Sequence, residues 1–564
     1  MTRSARRARA AALVLAAAVA VTGCGAIPRT GPVHRHAEPT RTTAVPTYAA
    51  EPAGPQEGAT PEEVVRGFLA AGTGVGDDYS VAREYLTPEF AGTWHPDART
   101  VVHRGDPSLV PRLDEHHYRL NLEVDSVVDG AGVVERKPAG ATEVLDFEVA
   151  QVDGQWRVSE APDATVLNGE DFENIFEPHH LYFADEDLSN VVVDPRWFPD
   201  RVPVSTSIVR ALLSGPAPYL RGAVDTAFPS GTTLARSSVP VRDGTATVEL
   251  SVPEFDPANI EINRRMHDQL SLSLRSLGAV DEVELLVEGA PVELGTGWSD
   301  TAPVQDVTVP SRQVGLRDGR LVFYQGGQTE DVPGLPALDG YHPASPAMDT
   351  AAENFAFVDT GTGSLVTLAR GGEPQVRFSG TGLTRPSFDE HGWLWAGDSA
   401  GTVRAVSTGP RAEEPVRVEA SWLAARKITS LRISRGGTRA LVVTQGDGVS
   451  QLWLTGVVRG PDGTPRRLNE PYRVAADVDA DVALWLSDRE FVAAPVGGTG
   501  AVRPRVYDVS GRYRELPGLA GVTGLSGGNG TSAIYAVAGG SLHMLTGNAW
   551  APQTEDVLDT AFAG

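Results

Sequence analysis

The chain is poor in cysteine, lysine and long apolar runs. Among its 564 residues there is one cysteine, Cys24, and the only lysines are Lys137 and Lys427. A single thiol excludes an internal disulfide and a cysteine-based zinc site. Cations number 48, almost all arginine, against 73 acids, for a formal charge of −25. Such a surface repels a phosphate backbone, so nucleic acid is excluded as a partner. Past the N-terminus no stretch is apolar enough to span a bilayer. A glycine-rich phosphate loop with its lysine, a zincin helix motif and a dinucleotide fingerprint are all missing, so no cofactor and no metal is expected. The length leaves room for three or four domains.

What is present begins with an export signal. Arg3, Arg6, Arg7 and Arg9 form a basic front, and Ala11 to Val21 form an apolar run closed by small residues. The run is far short of the ~20 residues of a permanent span, so residues 1–23 read as a cleaved signal. It ends Val21-Thr22-Gly23-Cys24, which resembles the bacterial lipobox, in which a branched residue and two small ones precede a cysteine that is lipidated before cleavage. The alternative is a secretion signal cut near Ala20, with Cys24 incidental. Lipidation is favoured because the one thiol of the chain falls where a lipobox needs it. Diacylglyceryl and N-acyl chains on Cys24 would hold the mature protein on the outer face of the cell membrane. Cleavage removes four arginines and no acid from a charge of −25, leaving −29. Residues 24–60, with Pro28, Pro32, Pro39, Pro46, Pro52 and Pro55 and no apolar period, read as a tether averaging about 30–35 Å end to end.

The folded part divides by pattern. Thr60 as N-cap, Pro61, then Glu62 and Glu63 open a helix whose apolar face carries Val64, Val65, Phe68 and Leu69. A second helical stretch near Ser80–Leu86 precedes strands over Tyr118–Val128, Gly132–Arg136, Glu143–Val149 and Gln155–Ser159, the last two joined at Asp153-Gly154, a hairpin signal. Helices followed by a meander predict an α+β domain over 61–185, whose closing hairpin is similar to those of the cone-shaped NTF2-like domains. Over 186–295 a helix capped by Ser205 or Thr206 carries Ile208, Val209, Leu212 and Leu213. Strands around Asp243-Gly244 follow, then a helix with Met266, Leu270, Leu274 and Leu277, and a strand Val283–Glu288. This succession resembles the GerMN domain, an α/β module first noticed in spore-germination proteins. Over 311–564 a polar turn followed by an apolar strand recurs at Asp349, Asp389, Ser434, Ser487 and Ser526, at intervals of 40, 45, 53 and 39. These match the ~40–50 residues of a propeller blade. A propeller of five or six blades is expected, with an irregular β-sandwich as the alternative.

Few residues offer chemistry. Ser526 sits in Gly524-Leu525-Ser526-Gly527-Gly528, the spelling of a nucleophile elbow, but a strand rather than a helix follows and only His543 remains downstream, with no acid before it. Glu115-His116-His117 and Glu177-Pro178-His179-His180 place adjacent histidines on opposite faces of a strand, unsuited to one ion. The acids from Glu170 through Asp187 lack the spacing of a calcium loop and read as a solvated linker. Arg104-Gly105-Asp106 is a tripeptide that arises often by chance. Trp393, Trp395, Trp453, Trp485 and Trp550 are expected between blades rather than on a sugar platform. No catalytic residue is assigned.

The order of lipobox, Pro-rich tether, α+β and GerMN-like domains and C-terminal propeller is similar to the actinobacterial LpqB lipoprotein family. "VTGCGAIPRTGPV", "SIVRALLSGPAPYLRGAVDTAFPSGTTL" and "SFDEHGWLWAG" carry the likeness. The resemblance implies a non-enzymatic accessory of the MtrA–MtrB two-component system, which meets the extracellular domain of the sensor histidine kinase and affects cell-envelope homeostasis and division. Only the anchor, Cys24, is carried over by residue. The alternative is a binder or hydrolase of wall glycan or peptide, with peptidoglycan as partner and the propeller face as its site.

Overall fold

Thr60 and Glu63 close a capping box at the head of the helix Pro61–Ala71: the threonine side chain accepts from Glu63 N, and the Glu63 carboxylate accepts from Thr60 N at 2.8 Å. The computed structural model describes residues 52–564, apart from 76–77, 113–115, 186–187, 189, 201–203, 296–305, 410–413, 447 and 477. The helix lays Val64, Val65, Phe68 and Ala71 on a six-stranded sheet ordered Gln155–Glu160, Thr142–Val152, His117–Asp129, Arg99–Pro111, Thr165–Asn168, with Val134–Arg136 added on His117–Asp129. Trp94 fills the concavity, its ring 5.0 Å from Phe68. Asp153 and Gly154 both take positive φ, 51° and 77°, as a two-residue hairpin turn of the primed kind requires.

Arg99–Pro111 is a strand that the sequence reading lacked. It is interrupted by register shifts at Val102/His103 and Arg104/Ser108, with Gly105 at φ 59°. The Arg104-Gly105-Asp106 tripeptide occupies that irregularity. The acidic segment expected as a solvated linker is structured instead. Residues Gly169–Ile175 are helical, and Phe176–Ala184 pairs antiparallel with Val191–Pro199 in a two-stranded ribbon. All but the last residue of Val191–Pro199 are buried. The acids mislead because Glu170 and Asp171 occupy the first helical turn, behind the Asn168 cap, while Phe172, Ile175, Phe176, Leu181 and Phe183 carry the burial.

In the α/β module, Thr245–Ser251 and Glu282–Val287 run parallel, joined through the helix Ile260–Leu274, whose Met266, Leu270 and Leu274 are buried to the last atom. Ser205 and Thr206 lie inside the helix Val204–Leu213 rather than at its cap. Their hydroxyls instead bind both main-chain groups of Val239, at 2.7 and 2.9 Å.

Among the described residues, the remaining chain forms six four- or five-stranded antiparallel sheets, the blades of a propeller. The innermost strands, Leu558–Ala561, Pro343–Met348, Ser387–Phe388, Lys427–Ile433, Val482–Trp485 and Val522–Gly527, each touch the next around a closed ring. In four blades the recurring turn joins the innermost strand to the second, and the turn's Asp or Ser holds it by accepting main-chain N–H groups; the fifth expected turn residue, Ser526, lies instead within the innermost strand Val522–Gly527. Asp349 accepts from Glu353 N, Asp389 from His391 N and Trp393 N, Ser434 from Arg439 N, and Ser487 from Arg489 N and Glu490 N. The sixth blade has no such turn, because its inner strand Leu558–Ala561 comes from the far end of the chain to pair with Gln313–Arg317. That closure removes the free sheet edge.

Candidate functional site

Residues 52–564 pack as one unit, and the feature that joins them is a seam around the ribbon Phe176–Pro199. One hydrophobic cluster runs without a break from the ribbon through both α/β helices and into the propeller, from Leu181 and Met266 to Leu441, Trp485 and Tyr507. Close approach is possible because Gly456 lacks a side chain: a Cβ there would lie 2.6 Å from the carbonyl of Tyr219. Tyr219 stacks on Tyr472, ring centroids 5.4 Å apart. The first domain joins the seam through Arg136, which donates to Tyr472 Oη at 2.7 Å and to the Ser510 carbonyl at 2.9 Å.

Charge is buried here in a way that needs partners. Arg196 and Asp194, 1% and 0% exposed, form an ion pair of 2.7 Å. Arg196 also donates to the carbonyls of Ala131 and Gly215, while Asp194 accepts from Ala217 N. Arg439, equally buried, donates to the Val193 and Asp488 carbonyls. Burial, reinforced by the Asp194 carboxylate, raises the Tyr219 phenol well above its ordinary range. At the edge of the seam Asn190 Nδ2 donates to Asp185 at 2.9 Å and to Glu390 at 3.0 Å. Burial, with Asp185, Asp389 and Asp488 nearby, pushes the Glu390 carboxyl up to about 7.

The residues singled out in the sequence fall as follows. Val21, Thr22, Gly23 and Cys24 lie outside the described residues, as does Glu115. Ser526 is buried in a strand, its Oγ donating to Gln313 Oε1 at 2.5 Å and lying 3.2 Å from Thr560 Oγ1. His116 packs on Trp156, and His117 pairs with Glu148. His179 stacks on Phe198, and burial depresses both His179 and His180. Trp393, Trp395, Trp453 and Trp485 are buried, and the indole N–H groups of Trp395, Trp453, Trp485 and Trp550 donate to Asp389, Thr444, Arg432 and Pro517. Among the described residues no group of three or more His, Cys, Asp or Glu is arranged to hold a metal ion. No described helix is long and apolar enough to cross a membrane. The propeller axis holds a channel of about 420 Å³ in which Arg385 pairs with Asp559. Burial next to Arg385 lowers Arg432 to about 9, and Arg432 donates to the Pro386 and Gly564 carbonyls. The seam's polar members escape a sequence search, since Asp194, Arg196 and Arg439 are isolated charges whose burial no local pattern announces.

Three family models match in succession: the LpqB N-terminal domain over 54–173, the sporulation and spore germination domain over 180–293, and the LpqB β-propeller domain over 319–560. The chain belongs to the LpqB lipoprotein family. Relatives named lipoprotein LpqB from Thermobifida fusca, Streptomyces avermitilis and Mycolicibacterium smegmatis are 29%, 27% and 25% identical to it. The alignments span 82%, 92% and 81% of this chain and 83%, 91% and 82% of the relatives. Family membership makes this a lipoprotein, with the GerMN-type module and the propeller that the family's models describe.

Proposed function

We propose that the chain is a lipid-anchored accessory on the outer face of the cell membrane that works by binding protein. Its partner in this reading is the extracellular domain of the sensor histidine kinase of the MtrA–MtrB system, and its effect is on envelope homeostasis and division. The observation that supports it is the seam. A continuous core and buried, cross-bonded charges weld three modules into one body, so surfaces from all three keep fixed relative positions. A rigid composite face lowers the ordering cost of association. A protein-binding accessory needs that property, and it needs no reaction centre.

The test is crosslinking in living cells with photoreactive residues on the exposed faces of the α/β module and the propeller. The expected product is an adduct with the kinase that disappears when the kinase's extracellular domain is deleted. Adducts with other envelope proteins and none with the kinase would overturn the reading.

A further inference from the structure

A cleft of about 420 Å³ opens at the seam, walled by Pro218 and Arg221 of the α/β module and by Glu419, Trp422, Arg467 and Glu470 of the propeller. Its width is fixed, because Asn469 Nδ2 donates across it to the carbonyls of Pro218 at 3.2 Å and Arg221 at 2.7 Å. Neither module makes this cleft alone. The volume lies within the range of small-molecule sites.

The charged walls are unusual for this chain. Its arginines are commonly paired: Arg466, beside the cleft, binds Asp462, and Arg503 and Arg505 share Glu515. Arg221, Arg467, Glu419 and Glu470 line one space, two of each sign, and none of their side chains makes an ion pair or a hydrogen bond with a described residue. Trp422, half-buried, packs against Trp453 at 5.8 Å and is fixed between that ring and the cleft.

Each wall selects against part of the ligand space. A fixed indole beside a proline offers a flat apolar surface suited to the C–H face of a pyranose. Two guanidiniums free of internal partners match a carboxylate, which Arg binds in bidentate fashion. Two free carboxylates accept from hydroxyl groups and repel a ligand that is only anionic. A neutral sugar leaves the arginines unused, and a simple anion leaves the indole and the acids unused. We propose that the cleft binds a saccharide bearing a carboxylate, its ring on Trp422 and its carboxylate on Arg221 and Arg467. This goes beyond the protein-binding reading and does not depend on it.

The test uses the full chain in detergent with two probes, N-acetylmuramic acid and N-acetylglucosamine, which differ by a carboxylate-bearing ether, and follows binding by calorimetry and ligand-observed NMR. The acidic sugar is expected to bind about tenfold or more tightly than the neutral one. In the double variant Arg221→Gln, Arg467→Gln, whose side chains are exposed and carry no fold contact, that preference should vanish while the unfolding temperature stays put. Trp422→Ala should abolish binding of both. Absence of binding of either sugar at millimolar concentration overturns the proposal, as does a preference that survives in the double variant. Binding of a carboxylate-bearing peptide with neither sugar bound overturns it equally.

Discussion

The guanidinium of Arg439, on the second strand of a propeller blade, reaches the main-chain carbonyl of Val193 in the ribbon, 3.3 Å away and 246 residues distant in sequence. The same side chain donates to the Asp488 carbonyl at 2.7 Å and stands 5.0 Å from the centroid of the Trp485 ring. Cutting it back to alanine would strip acceptors on both sides of the seam and leave a void under Trp485. Arg439→Ala is expected to cost about 3–5 kcal/mol, the range for breaking one side of a buried charged contact. Urea unfolding followed by tryptophan fluorescence measures this, and an unshifted midpoint would show that the seam does not rest on Arg439.

The legible parts of this fold were those written in local chemistry. The capping box at Thr60 and Glu63, the Asp-Gly turns at 153–154 and 243–244 and the turn-holding Asp349, Asp389, Ser434 and Ser487 of four propeller blades each act over a few residues, and each is found where the residues imply it. The ribbon was illegible because a buried Asp194 and Arg196 break its apolar run, and because its neighbouring acids look solvated. The strand Arg99–Pro111 was hidden by the Gly, Asp and Pro at its irregularity, residues that ordinarily argue against a strand. Non-local partners were beyond reach altogether. Nothing near Leu558 says that it pairs with Leu316, and nothing near Gly456 says that Tyr219 will lie against it.

Gly456 tests the seam by bulk rather than charge. A Cβ at this position would stand 2.6 Å from the Tyr219 carbonyl and 2.9 Å from Ala223 Cβ, both on the facing module. Main-chain atoms cannot step aside as a flexible side chain can. Gly456→Val is expected to destabilise by roughly 1–3 kcal/mol or more, as overpacking does. Gly446→Ala, at the end of the neighbouring strand Arg439–Gly446, is the control, with nothing within 4 Å of its Cβ, and should be neutral or slightly stabilising. Thermal unfolding of the two variants separates a crowded seam from a general loss of glycine freedom.

Glu390 should make stability depend on pH. Its carboxyl titrates at about 7 in the folded chain, above the ordinary value of 4.5, because it is buried beside Asp185, Asp389 and Asp488. Arg459 and His391 face the same site, the former bound to Asp389 at 2.7 Å. A raised carboxyl means that the unfolded chain releases its proton first, so folding is favoured at low pH. That contribution is complete below about 4.5 and lost as pH rises through about 7. Glu390→Gln keeps an acceptor for Asn190 and removes the charge. The variant is expected to match the parent near pH 4.5 and to exceed it by roughly 1–3 kcal/mol above pH 7. Denaturant titrations across that range check it; a constant difference would mean that Glu390 is not the titrating group.

Cys24→Ala is the decisive change for the anchor. Two acyl chains or an equivalent second signal are needed for stable attachment, and one residue carrying both diacylglyceryl and N-acyl groups meets that need. With residues 1–23 removed the charge would be −29, which gives no electrostatic reason to stay near anionic headgroups. No described helix offers a replacement span. Removing the thiol should therefore move the protein from the membrane pellet to the soluble fraction and erase the lipid mass from its N-terminal peptide. The unfolding temperature of the folded body is expected to stay unchanged. Retention in the pellet with the lipid mass gone would place the attachment elsewhere in the chain, and retention after a high-salt wash would exclude a charge-mediated explanation as well.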